Sequence, residues 1–201
     1  MNVSRYNVVG LFLIVFLLVT GCGGGEPPTK REIWQKYVNL YKGYQKDLYE
    51  FSVKKWPRFK PVFELQKRYQ MKRTKLRTMK FVYILEHDPN RIITNRGIHE
   101  FVNFPWTSGD TKKFVESVKG AESLVNKVNR LEKKNNNHPM WPKVREKFRA
   151  LPPDSKYKEL NRSFQSRLRG LSSWLERYNQ ARDRANRSSA PAPTRSTETS
   201  G

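Results

Sequence analysis

The residues whose types could move protons or hold a metal gather at one place in the chain: Glu86, His87 and Asp88, with His99 and Glu100 a short way on. Imidazoles and carboxylates are the usual acids, bases and zinc ligands. Their spacing matches neither HExxH nor another closed ligand pattern. A helix end, where the dipole favours a histidine, accounts for His87 as well. The third histidine, His138, stands beside Pro139 in an Asn-rich turn and reads as a helix-end cap. No glycine-rich phosphate loop follows residue 28, and the run Gly23, Gly24, Gly25 has neither a strand before it nor a lysine at the required distance. No metal or other cofactor is implied.

The second chemistry is anion binding. From Ser52 to Lys80 there are eleven basic residues and one acid, Glu64. Lys54, Lys55, Trp56, Arg58, Phe59 and Lys60 alternate charge with aromatics, a composition suited to an anionic membrane interface or to stacked bases. The alternative is that Trp56 and Phe59 plug the core at a proline-marked turn while the lysines stand in water. Lys67, Arg68, Lys72, Arg73, Lys75, Arg77 and Lys80 then surround a thin apolar stripe. Arg68 and Lys72, four apart, repel one another. Either acids of another helix, Glu116, Glu122 and Glu132, neutralise this face, or it is an exposed anion-binding surface. The candidate anion-binding residues are therefore Lys54, Lys55, Arg58, Lys60, Lys67, Arg68, Lys72 and Arg73. The aromatics Trp34, Tyr37, Tyr41, Tyr44 and Tyr49 could form a glycan or lipid platform, but Tyr37 and Tyr44 lie on an apolar stripe and favour a core role.

Cys22 is the only cysteine. It follows Val19, Thr20 and Gly21 at the end of an apolar run from Val8 to Thr20, with Arg5 upstream. The basic start, apolar core and small residues before a cut are the three parts of a secretory signal. The core is shorter than the roughly 20 apolar residues an ordinary membrane-spanning helix needs. The string resembles the lipobox of bacterial lipoproteins. That resemblance covers only the leader and the first processed residue. It implies cleavage before Cys22, a thioether-linked diacylglycerol on its sulfur, and an amide-linked acyl chain such as palmitate on the new amine. Two or three chains hold stably where one binds reversibly. The aspartate that retains many enterobacterial lipoproteins in the inner membrane is missing after Cys22, where Gly23 stands, so the resemblance favours the outer membrane if the source has two. It leaves no thiol for catalysis, and a single cysteine makes no intramolecular disulfide.

The whole chain carries a formal net charge of +22, and processing after residue 21 removes only one basic residue, Arg5. Such an excess calls for an anionic partner. Outside the cytoplasm the candidates are lipid headgroups, phosphorylated envelope glycans, teichoic acids and DNA. Residues 22–28 form a lipidated cysteine and a tether that reaches at most about 20 Å from Gly23 to Pro28. Residues 29–187 form one basic helical domain, and residues 188–201, rich in Ser, Thr, Pro and Ala, form a disordered tail.

The elements that must position these residues follow from apolar periodicity. Thr29 and Glu32 have the spacing of a capping box, and Ile33, Tyr37, Leu40, Tyr44, Leu48 and Phe51 share a helix face to about Lys55. A second helix starts near Val62, carries Leu65, Tyr69, Leu76, Met79 and Tyr83, and stops before Asp88, Pro89 and Asn90. A third, capped by Ser108, Gly109 or Asp110, runs through Phe114, Val118, Ala121, Val125 and Val128. A short fourth holds Trp141, Val144 and Phe148, and a last one runs from Tyr157 through Leu168 and Leu175 to Tyr178. The apolar stretch Arg91 to Trp106 predicts a short helix or packed loop over one end. The expectation is an all-α antiparallel bundle of about four to five helices.

These features predict a membrane-anchored envelope lipoprotein, held at the cell membrane or outer membrane, that is not an enzyme. It would bind an anionic envelope partner or assist assembly of a protein complex. Two alternatives stay open: an envelope hydrolase using His87, Asp88 and His99, and an extracellular DNA-binding surface protein, since phosphate binding is sequence-independent.

Overall fold

The computed structural model describes residues 26–189, where the chain is all-α, with eight α-helices, two 3-10 turns and no strand among the described residues. Helix α1 (Lys30–Lys55) begins at the expected cap: Thr29 Oγ1 accepts from the Glu32 amide, and the Glu32 carboxylate accepts from the Thr29 amide at 2.7 Å. Pro57–Phe59 makes a 3-10 turn, and helix α2 (Lys60–His87) runs back along α1. It starts two residues before Val62 because Pro61 is tolerated in a helix's first turn, where its missing N–H is not needed. Helices α3 (Ile98–Val102), α4 (Ser108–Ser117), α5 (Ala121–Asn136), α6 (Trp141–Arg149), α7 (Lys156–Gly170) and α8 (Ser172–Ser188) follow. Residues 1–25, with Cys22 and the signal segment, and residues 190–201 of the tail lie outside the described residues. No helix among the described residues is long and apolar enough to cross a membrane.

The expectation of four to five helices is corrected to eight, seven of them of nine residues or more. The expected third helix is two because Gly120 adopts φ +78°, a left-handed conformation that ends α4 and opens α5. Its cap is Thr107 rather than Ser108, Gly109 or Asp110: Thr107 Oγ1 accepts from the Asp110 amide at 3.1 Å while the Asp110 carboxylate accepts from the Thr107 amide at 2.7 Å. The expected last helix is two because the chain bends at Leu171. Leu171 keeps right-handed helical angles there, so the apolar register passes through the bend and Leu168, Leu171 and Leu175 all join one core.

The antiparallel α1–α2 hairpin is central. Along α1 run α7 and α8, also antiparallel: Phe164 stacks on Tyr44 at 4.5 Å, and Lys36 Nζ lies 3.9 Å over the Trp174 ring. The Tyr44 hydroxyl donates to Asn161, and burial, foremost, pushes its pKa up to about 12. Along α2 runs α5, where the Tyr69 hydroxyl donates to Glu132 at 2.7 Å and Leu76 packs with Val128.

The two ends of the hairpin are closed by different elements. At one end, Ile92, Ile98, Phe101, Val102 and Phe104 pack on Trp34, Phe81 and Ile84, so the 91–106 segment is a packed cover with a short helix, as its composition predicts. Arg91 fastens it, donating to both Asp110 oxygens at 2.8 and 2.7 Å and to the Pro105 carbonyl at 3.2 Å. At the other end α6 covers the α1–α2 turn, with Phe59, Val62, Phe63 and Val144 fully or nearly buried together.

Candidate anion-binding surface

Helical period sets six of the basic residues of α2 on two strips. Arg68, Lys72 and Lys75, four and three apart, share one line; Arg73, Arg77 and Lys80 share another. Lys60 has a carboxylate partner, Glu64, at 3.9 Å. Among the described residues no ion pair reaches Lys54, Lys55, Arg58, Lys67, Arg68, Lys72 or Arg73. Neutralisation of α2 from the third expected helix does not occur: Glu116 and Glu122 make no ion pair among the described residues, and Glu132 accepts from Tyr69 instead.

The first strip borders a groove of about 450 Å³ lined by α1 and α2 alone. Lys42, Lys72 and Lys75 line it together with Val38, Met71 and Met79, and no acid does. Met71 is 43% exposed, the one exposed large apolar side chain among the described residues. Long cationic stems around an apolar floor suit an interface that is greasy on one side and anionic on the other.

The second strip borders a groove of about 300 Å³ that reaches Trp106 and Glu132. Arg77 is held there by the Val102 carbonyl and, at 3.2 Å, by Asn103 Oδ1, so it fastens the end cover to α2. Lys80 Nζ lies 4.4 Å over the Trp106 ring. Burial, foremost, lowers the Lys80 ammonium below its ordinary pKa; Asp110 pulls it back up in part, and the Arg77 guanidinium, the smallest of the three, adds to the lowering. Arg73 is the exposed member of this strip and stands 5.9 Å over the Tyr69 ring.

At the hairpin turn the aromatics and charges separate. Phe59 is buried and Trp56 packs edge-on to Phe148 at 4.8 Å, so these rings are core plugs rather than a stacking platform for bases. Lys54, Lys55, Arg58 and Lys60 remain exposed around them. The packing of α6 on this turn adds Lys143, Arg145, Lys147 and Arg149, all exposed, to the same end of the molecule. Those four residues lie more than eighty positions along the chain from the turn, and only the buried faces of Val144 and Phe148 on α6 hint that they pack beside it. The 26 residues of α1 span about 39 Å, which puts this basic tip at the far end from Thr29. On α1 itself Trp34 and Tyr37 are buried and Tyr41, Tyr44 and Tyr49 are partly so, a core series rather than an open platform.

The histidine cluster is taken up locally. His87 Nδ1 bonds the Tyr83 carbonyl at 2.8 Å and its ring stacks on Tyr83 at 4.2 Å. Glu86 pairs with Arg31 at 3.2 Å, and Asp88 and His99 are exposed. Among the described residues no group of three or more His, Cys, Asp or Glu is close enough to hold a metal ion. His138 does act at a helix start, where its Nδ1 accepts from the Met140 amide at 3.3 Å.

No family model, curated protein or solved structure matches this chain. Its own side chains place cations on two sides and one end of a helical hairpin.

Proposed function

We propose that the protein is an envelope lipoprotein, anchored through acylated Cys22, whose helical body binds an anionic envelope partner. The observation that carries this reading is the set of basic residues along α1, α2 and their turn, most of them exposed, that lack carboxylate partners among the described residues. Lys67, Arg68 and Arg73 are its central exposed members, with half-buried Lys72 between them, and Lys54, Lys55 and Arg58 stand at the tip beside Lys60, which pairs with Glu64. A tether of six residues, Gly23 to Pro28, reaches at most about 20 Å and keeps the body near the surface that holds it. Within a Debye length of an anionic surface each Lys or Arg contributes about 1 kcal/mol, so four or five suffice for retention.

The test has two arms. Cys22→Ala should abolish palmitate labelling and leave an unprocessed or soluble species; continued labelling would end the lipoprotein reading. Soluble protein from Gly23 onward should bind vesicles containing anionic lipid, and release as salt rises. Replacement of Lys67, Arg68, Lys72 and Arg73 by Gln should weaken that binding more than four Gln replacements in α8. Equal binding to neutral vesicles, or equal loss from both sets, would end the anion-binding reading.

A further inference from the structure

Beside the basic tip, α1, α2, α6 and α7 enclose a partly open cavity of about 140 Å³. Its walls are mainly apolar, with Leu48, Phe63 and Phe148 among them. Two buried polar atoms on its lining residues have no hydrogen-bond partner: the Oε1 of Gln66 and the Nε1–H of Trp141. One is an acceptor and the other a donor. A buried polar atom left unpaired costs about 1–3 kcal/mol, so a hydroxyl in the cavity that reached both, as the side chains turn toward it, would relieve two costs at once by donating to one and accepting from the other. Lys67 also lines the cavity, with its Nζ 4.2 Å over the Tyr49 ring and no carboxylate partner among the described residues. An apolar cavity of about 150 Å³ accepts a benzene-sized body.

We infer that this cavity is a binding site for a small amphiphilic acid with a ring-sized apolar body, a hydroxyl and an anionic group. The hydroxyl donates to Gln66 Oε1 and accepts from the Trp141 indole N–H. The ring lies against Leu48, Phe63 and Phe148. The anion faces the Lys67 ammonium at the mouth. The site is separate from the polyanion surface in everything but Lys67, and its argument does not depend on the anchor or on membrane binding.

4-Hydroxyphenylacetate is the probe. The chain has five tryptophans, so an ¹H–¹⁵N spectrum of the full chain shows five indole signals, with that of Trp141 identified by its loss in Trp141→Phe. Titration should move the Trp141 signal saturably and leave that of Trp34, in the distant core, in place. 4-Methylphenylacetate, which lacks the hydroxyl, should bind about tenfold more weakly, and Lys67→Gln should weaken binding of the hydroxy acid about fivefold. Leu48→Phe should fill the cavity and abolish the shift; where that variant loses its helical signal, Gln66→Leu supplies the second check, since it removes the acceptor and should cost about tenfold. The inference is overturned by the absence of a saturable shift, by equal affinity for the methyl analogue, or by no change in Lys67→Gln. Vesicle binding measured on the same variants separates the two readings, because Leu48→Phe leaves every surface cation in place.

Discussion

Replacement of Asp110 should be among the most damaging single changes at a polar position, because one carboxylate performs two structural tasks. It receives both guanidinium bonds of Arg91, at 2.8 and 2.7 Å, and it closes the α4 cap with the Thr107 amide and hydroxyl, at 2.7 and 2.9 Å. Its side chain is 14% exposed and that of Arg91 29%, so the pair is shielded but not dry. Hydrogen bonds to charged groups are worth about 1.5–3 kcal/mol and a helix cap about 1 kcal/mol. The terms do not add, because freed Arg91 keeps the Pro105 carbonyl and gains water. Asp110→Ala should therefore destabilise by about 2–3 kcal/mol, a fall in midpoint temperature of roughly 5–10 °C for a domain of this size. Asp110→Asn, which keeps a cap acceptor, should lose less. The Arg91 bonds, foremost, and then the Thr107 bonds hold the Asp110 pKa well below the ordinary carboxylate range. A depressed carboxylate stabilises the fold above its unfolded pKa, near 4, and that contribution is lost as pH falls toward its folded value. Urea unfolding followed by far-ultraviolet circular dichroism should show a gap between wild type and Asp110→Ala that is constant from pH 8 to 5 and narrows below about pH 4. A gap under about 0.5 kcal/mol at pH 7, a value ordinary for a surface substitution, would refute the clamp. So would a gap that stays constant through pH 3.

Gly120→Ala forces a side chain into φ +78° where no neighbouring atom lies within 4 Å, so strain rather than collision sets a cost of about 1–2 kcal/mol, readable as a shift in urea midpoint. Tyr69→Phe removes the hydroxyl that bonds Glu132 and should cost about 1 kcal/mol at pH 7. Burial first, then the Glu132 bond, push the Tyr69 phenol up to about 12. The raised pKa stabilises the fold fully below the unfolded value near 10, and that part of the gap to Tyr69→Phe should fade as pH rises toward 12, checked by unfolding at pH 8 and 11. Phe81→Ala empties a fully buried position stacked 4.3 Å from Trp34 and should cost about 3–5 kcal/mol in the same assay, whereas double replacement of exposed His87 and His99 by Ala should leave the helical signal intact.

Local chemistry was legible in the linear chain. The Thr29–Glu32 capping box, the helix-stopping Asp88–Pro89 pair and the apolar periods of α1 and α6 depend on residues within one or two turns of each other, and the amino-acid order determines them directly. So did the all-α class, since stripes at steps of three and four are compatible with little else. Where an apolar period continues through a break the order is silent: Leu168, Leu171 and Leu175 keep register across the α7–α8 bend, and Val118 and Ala121 keep it across Gly120. Only the tertiary structure decided which charges are free. The amino-acid order supplied both the cations of α2 and the acids that could have met them; the placement of α5 gave Glu132 to Tyr69 and left Lys67, Arg68, Arg73 and Lys75 exposed, while Arg77 and Lys80 are taken up by the end cover. The same holds for the basic tip and the cavity beside it. Lys54–Lys60 and Lys143–Arg149, or Gln66 and Trp141, become neighbours only because Val144 and Phe148 bury against Phe59, Val62 and Phe63. Nonpolar burial is non-directional, so the stripe on α6 announces that it must be covered but not by which helix, and the polar residues that ride with it acquire their partners from that choice.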